Sequence, residues 1–400
     1  MRNAVIGHGA SAAAIVAVQL AIMFVGAILP TPLYPMYRQA FGFSGLMLTL
    51  IYAVYVLGNI AALLLFGRLA DQIGRRSVNL VAIGCSIASA AAFATASGTS
   101  SLFVARALSG LSTGLAAGAA TAWIADLYDD GGRGGAARIA SAANFFGCAA
   151  GPLLGGLLAQ FAVAPLQLPF LIYLAMLTVV AVAILLPPET VARPLPLRKA
   201  SFKPRIGVPP RIRLQFLAPA VTGFATFSLI GFYAALIPNL LGDALHQSAP
   251  VVAGAVVCEL FAIAAVVILV TGRLASESTM LGALALLPPS VWVLVVAEIL
   301  HSLPLLLLAA ALGGIAGGLG YRGSLEVINH IAAPHQRSEV VSSYMIALFA
   351  GNSLPVIGIG LVAAVAGSLV AHVVLAAVIS VLAAVAAFTG LKYAPNAHFD

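Results

Sequence analysis

Apolar runs of about 20 residues recur along the whole chain, parted by short polar turns, and each is long enough to cross a bilayer core. Twelve such runs are readable. The first six lie at roughly 11–33, 45–66, 77–96, 101–126, 137–161 and 167–187. The second six lie at roughly 214–240, 249–270, 280–299, 303–328, 339–365 and 368–390. In hydrocarbon every backbone N–H and C=O must find a partner within the chain, and turns this short leave helices as the solution. The prediction is an all-α polytopic membrane protein with 12 transmembrane helices. Composition excludes a soluble alternative: of 400 residues 62% are hydrophobic and 8% charged, against about 25% charged in a soluble domain. The first run, Ala10 to Pro30, outlasts the apolar core of a signal peptide and is expected to remain as the first span.

The longest polar interruption falls at mid-chain, residues 188–213. It holds Arg193, Arg198, Lys199, Lys203, Arg205, Arg211 and Arg213 against one acid, Glu189. Its prolines oppose a long regular helix. It reads as a basic linker between an N-terminal six-helix bundle (1–187) and a C-terminal one (214–400). Basic loops stay on the cytoplasmic side of a membrane. With the linker inside, both termini are inside, and Arg68, Arg75, Arg76, Arg133, Arg138, Arg273 and Arg337 fall in or beside cytoplasmic loops, while Arg38 alone is basic among the external ones. The expected residence is the cell's inner or plasma membrane.

The halves echo one another. Gly67-Arg-Leu-Ala-Asp71 follows the second span, and Gly272-Arg-Leu-Ala-Ser276 follows the eighth. Asp126 ends the fourth span and Glu326 lies near the end of the tenth; Pro152 sits in the fifth and Pro355 in the eleventh. Such matches imply two parallel repeats related by an axis along the membrane normal.

The most ordered local pattern is Gly67-Arg-Leu-Ala-Asp-Gln-Ile-Gly-Arg-Arg76, in the loop between spans two and three. Glycine permits a sharp turn there, and Asp71 is placed to pair with the arginines or to face a helix N-terminus. A solvated basic loop that only sets topology is the plainer reading. With this pattern the chain resembles the major facilitator superfamily, whose loop signature is Gly-x-Leu-Ala-Asp-x-x-Gly-Arg-Arg/Lys. The resemblance implies two pseudo-symmetric six-helix bundles around a central cavity. It also implies that Gly67, Asp71, Gly74, Arg75 and Arg76 steady one conformational state, Asp71 facing the start of the eleventh span and Arg75 or Arg76 meeting Asp126. The second-half copy has Ser276 in place of the acid and lacks the basic pair; Arg273 with Glu326 is a candidate remnant.

Two further runs carry the same resemblance. In span five, Gly147-Cys-Ala-Ala-Gly151-Pro152-Leu-Leu-Gly155-Gly156 places a helix-bending proline among glycines that admit a close neighbour. It resembles the Gly-Pro-x-x-Gly-Gly signature of the family's antiporters, most of them exporters. In span four, Arg106 precedes Gly110, Gly114 and Gly118, resembling the family's Arg-x-x-x-Gly motif, often implicated in proton transfer. A charge inside a span costs about 2.5–3.5 kcal/mol, so Arg106 either faces a cavity and a partner or snorkels to the external interface.

Glu259, near the middle of span eight, is the deepest acid. Lipid desolvates a carboxylate, so an acid at that depth is either a reversible proton carrier or a structural group paired with a hydroxyl or an arginine. Glu298 and Asp243 fall at external span ends and Asp126 at an internal end, where acids are interfacial; Arg322 and Glu326, four apart on one helix face, are placed to pair. Gln19, Tyr34, Asn59, Asn144 and Asn352 are candidate cavity-lining groups, or interhelical glue. Trp123 and Trp292 are candidate lipid-facing residues. The cysteines, Cys85, Cys148 and Cys258, lie in apolar runs and read as small buried hydrophobes. Many multidrug antiporters of the resembled family carry an acid in the first helix before a proline; Ala21 to Pro30 has none. That leaves Glu259 as the in-membrane carrier.

No phosphate-cradling Gly-rich loop and no clustered His, Cys or paired carboxylates are present. The chain is therefore expected to be no enzyme and to hold no cofactor or metal. The expected activity is secondary active transport by alternating access, most readily proton-coupled efflux of a small drug-like or metabolite solute. The alternatives are proton-coupled uptake of a sugar or metabolite, or a membrane sensor or enzyme without transport. The expected partners are the solute, protons and the bilayer, with no nucleic acid, and a monomer as the working unit.

Overall fold

A computed structural model describes residues 2–128, 133–199, 201, 204 and 206–393. Lys203, Arg205 and the side chain of Arg133 lie outside the described residues. Among the described residues all regular secondary structure is helical. In order the helices are α1 (Arg2–Ile28), α2 (Tyr34–Phe41), α3 (Gly45–Phe66), α4 (Leu69–Ile73), α5 (Arg75–Ala94), α6 (Thr99–Leu127), α7 (Arg133–Phe161) and α8 (Leu168–Ala183). Then follow α9 (Arg213–Asp243), α10 (Pro250–Val270), α11 (Ser276–Ile299), α12 (Leu303–Ile331), α13 (Arg337–Ala366) and α14 (Ser368–Tyr393).

Among the described residues, 11 helical segments are long and apolar enough to cross a membrane. The protein is a multi-pass, all-α membrane protein. Local chemistry sets the helix boundaries. The first span stops at Ile28, ahead of Pro30 and Pro32, passes a 3-10 turn at Thr31–Leu33 and resumes in α2. Ser44 Oγ caps α3 by accepting from the Met47 N–H at 3.2 Å. The predicted sixth span is shorter than expected: α8 has 16 residues, about 24 Å of helix. Beyond it come Pro187 and Pro188, which have no N–H to continue a helix and whose carbonyls accept from Arg76 and Trp123.

The chain forms two compact units: Met1–Pro204 with Ser248–Ala265, and Arg205–Gln247 with Val266–Asp400. In the first, α1 lies along α7, and α6 packs on both α3 and α5. Residues 248–265 join it because Gly254 sits over the Pro152 carbonyl and Gly156 over that of Pro250. In the second unit, α9 packs on α12, α13 and α14, and α11 on α12. In lipid, close packing rather than apolar burial holds helices together. The faces left outside are correspondingly apolar, as at Leu57, Val179 and Phe388.

Candidate functional site

The loop between α3 and α5 is the most densely bonded polar region. Gly74 takes φ +105°, which only glycine adopts without strain, and ends α4 so that α5 starts at Arg75. The freed N-terminus of α5 meets the carboxylate of Glu189. That group accepts from the backbone N–H of Arg75 (2.9 Å), Arg76 (3.0 Å), Thr190 (3.0 Å) and Val191 (3.1 Å). A side chain on Gly74 would strike the same carboxylate. Arg75 pairs with Asp71 one turn before it and with Asp126 at 3.0 Å, and Thr190 Oγ1 donates to Asp126 at 2.8 Å. Arg76 turns away, donating to the Pro187 carbonyl at 2.5 Å. The structure brings Asp71, Gly74, Arg75 and Asp126 together, with Arg75 rather than Arg76 beside Asp126.

Sequence reasoning missed the other side of this network. Glu189 stood out only as the single acid of a basic segment, yet it caps α5. The linker begins as a strap: Trp123 Nε1 donates to the Pro188 carbonyl at 2.9 Å, and Leu195 N–H to the Gln72 carbonyl at 2.7 Å. Trp123 is fully buried, so a lipid-facing position is corrected for it; Trp292 is 42% exposed.

The glycine signature of α7 builds a seam. A side chain on Gly147 or Gly151 would run into the carbonyl of Ala21 or Val25 on α1, and one on Gly155 into that of Leu29 just past it, while Gly156 meets α10. The helix passes through Pro152 unbroken. These small residues set two helix approaches at once, one on each side of α7.

Arg106 is fully buried, which removes the snorkelling alternative. Its Nη1 donates to the Ala27 carbonyl at 2.6 Å and its Nη2 to the Tyr34 hydroxyl. The rings of Tyr34, Tyr52, Tyr55 and Phe93 surround the guanidinium, with centroids 5.2, 5.7, 5.7 and 5.9 Å from Cζ. Among the described residues no carboxylate pairs with it. The cation is instead held by a carbonyl, a phenol and aromatic faces, all interactions a cation gains from when desolvated. Beneath it, Asn59 Nδ2 donates to Thr113 Oγ1 at 3.2 Å, and Thr113 in turn to the Tyr55 hydroxyl at 3.2 Å. The tyrosines at 34, 37, 52 and 55, four within 22 residues, were the available sequence signal for this box.

The remaining candidates stand apart. Gln19 is fully buried, and both of its amide atoms lack a hydrogen-bond partner. Asn144 is half-buried and accepts a weak bond from Cys148 at 3.6 Å. Glu259, on α10, is half-buried; its Oε2 is enclosed and has no partner. The Phe145 and Phe261 rings meet at 6.0 Å between α7 and α10. In the second unit Asn352 is buried where α13 crosses Gly231 of α9.

The second-half loop is locked with the opposite polarity. Arg322, on α12, donates to the carbonyls of Thr271 and of Leu274 (2.9 Å), capping the end of α10, and pairs with Glu326 at 3.0 Å. Arg273 is exposed and is not the partner of Glu326. A mid-helix arginine here reaches loop carbonyls, where in the first half Arg75, the first residue of α5, reaches a helix acid. Glu298, the penultimate residue of α11, is 5% exposed and bonded to His372.

Residues 16–286 match the family model described as Major Facilitator Superfamily. The efflux pump FUB11 of Gibberella fujikuroi is 36% identical over 124 residues, 31% of this chain and 22% of the pump. The puromycin resistance protein pur8 of Streptomyces alboniger is 36% identical over 149 residues, 37% of this chain and 29% of that protein. The chain thus matches less than a third of the length of either relative. By fold it is similar to the human organic anion transporter MFSD10 (TETRAN), with TM-score 0.69 and 18% identity over 94% of this chain and 99% of that one. It is also similar to a bacterial homolog of the human lysosomal transporter Spinster, with TM-score 0.72 and 17% identity over 96% and 98% of the two chains.

Proposed function

The chain belongs to the Major Facilitator Superfamily, and we propose that within it this transporter exports a small organic solute in exchange for protons, working by alternating access. The observation that carries the reading is Glu259, a carboxylate placed mid-helix in a membrane span with one oxygen enclosed and unpartnered. A carboxylate so placed gains from holding a proton when no cation is near and releases it when a site opens to water. The efflux pump and resistance protein among the relatives support the outward direction. The glycine seam of α7, resembling the antiporter signature, supports exchange.

Within this reading Arg106 is a fixed cation and Glu259 the mobile charge, while Gln19, Asn144, Asn352 and Tyr34 serve the substrate path. The loop of Gly67, Asp71, Gly74, Arg75, Arg76 and Asp126 gates. The two halves, 1–187 and 214–400, act as the working bodies of a monomer in the cell membrane, with both termini in the cytoplasm. Puromycin is the first compound to test, given the relative that confers resistance to it. Inside-out vesicles from cells making the protein should accumulate puromycin when their interior is acid, and an uncoupler should abolish this. Accumulation indifferent to the uncoupler would refute proton coupling, and no accumulation across a panel of lipophilic amines, anions and neutral drugs would refute export.

A further inference from the structure

One buried titratable pair is not used by the reading above. Glu298 is the penultimate residue of α11 and His372 the fifth of α14, and each is 5% exposed. His372 Nδ1 lies 2.5 Å from Glu298 Oε2, and Ser368 Oγ donates to Glu298 Oε1 at 3.2 Å. Both carboxylate oxygens are thus engaged by α14. The face of α9 closes the site, with the edge of Phe232 against the His372 ring at 5.0 Å between centroids.

The surroundings hold little else that titrates. On α9, Tyr233 follows Phe232, its ring 6.0 Å away, and Asp243 ends the helix. In the adjoining loops the rings of His246 and His301 stack at 6.0 Å, and His301 Nδ1 is already bonded to the Ala244 carbonyl at 2.6 Å. The first three turns of α12, the last three of α13, and the three turns of α11 and α14 nearest the pair carry no other acid or base. Among the described residues Glu298 pairs with no lysine or arginine.

A carboxylate taken out of water needs a counter-charge or full hydrogen bonding. Here the only group that can supply a charge is the imidazole, which does so only when it carries a proton. His372 lies about 6 Å along α14 from the helix start, so that proton has a short way to water. We propose that Glu298 and His372 form a proton-binding site of the second unit, distinct from Glu259, which fastens α11 to α14 against α9 when occupied. The proposed orientation puts it at the external end, so it samples the outer compartment; the binding itself does not depend on that orientation or on transport.

The test uses the full chain in lipid nanodiscs, with the same pH on both faces. With 15N-labelled histidine followed from acid to alkaline pH, the signal lost in His372→Gln should pass from its protonated to its neutral form, and Glu298→Gln, which removes the facing carboxylate, should weaken proton binding so that the change comes at lower pH. Hydrogen exchange at the last turn of α11 and the first of α14, corrected for intrinsic rates, should be about fivefold slower at the acid end of that range than at the alkaline end, because the charge-assisted bond is then present. That pH dependence should vanish in both variants. If His372→Gln does not fold, Glu298→Gln carries the exchange readout alone. A His372 signal that stays in one form across the range, or exchange with the wild-type pH dependence in the variants, overturns the proposal.

Discussion

Glu259 and Glu189 show how differently one residue type works in the two settings of this molecule. Glu259 stands in a helix with no other charge, so its carboxylate has only water and the proton to trade with. Replacing it with Gln keeps the shape and removes the exchangeable proton. Glu259→Gln is expected to keep downhill solute movement while losing at least about tenfold of pH-driven accumulation, measured in the vesicles described above. Glu189, half-buried, instead accepts four backbone N–H groups at the start of α5 and in the strap. Glu189→Ala leaves that helix end uncapped and should cost about 1–2 kcal/mol, read as a lower unfolding midpoint, with Glu189→Gln retaining part of the loss. The sequence marked Glu259 because an acid among apolar neighbours is visible locally. It did not mark Glu189, Trp123 or His372, because their roles depend on partners 65 to 114 residues away. Nothing in their own neighbourhoods announces such partners.

At the scale of helices, glycine position separates packing from flexibility. Gly151 lies against the Val25 carbonyl of α1, whereas a side chain added at Gly118 would meet nothing within 4 Å. Gly151→Ala should therefore force α1 and α7 apart and cost about 1–3 kcal/mol. Gly118→Ala adds helix propensity without a clash and should be neutral or stabilising by about 0.5–1 kcal/mol. Thermal unfolding of the two variants in the same detergent checks both, and equal effects would remove the seam's geometric basis. The spacing of Gly147, Gly151 and Gly155 made this seam legible, since a four-residue step keeps one face of a helix. The length of α8 was not legible, because apolarity continues to Leu186 while the helix stops at Ala183. Pro187 and Pro188 bring no N–H to continue the helix, and their carbonyls are taken by Arg76 and Trp123.

For the molecule as a whole, the helical, multi-pass architecture followed from hydropathy alone, because lipid leaves an unpaired backbone no alternative. The grouping of residues 248–265 with the first compact unit did not follow, since it rests on Gly254 and Gly156 meeting across α7 and α10. The same long-range character applies to Arg322, whose role in closing the second-half loop comes from carbonyls of Thr271 and Leu274. In the proposed mechanism one carboxylate, Glu259, carries the proton exchanged for the solute. The most direct measurement is proton movement triggered by solute in proteoliposomes carrying a pH-sensitive dye and no imposed gradient. A solute gradient should drive a counter-flow of protons through the wild-type protein and none through Glu259→Gln, although the variant still carries the solute. Equal proton flux through both would exclude Glu259 as the proton carrier.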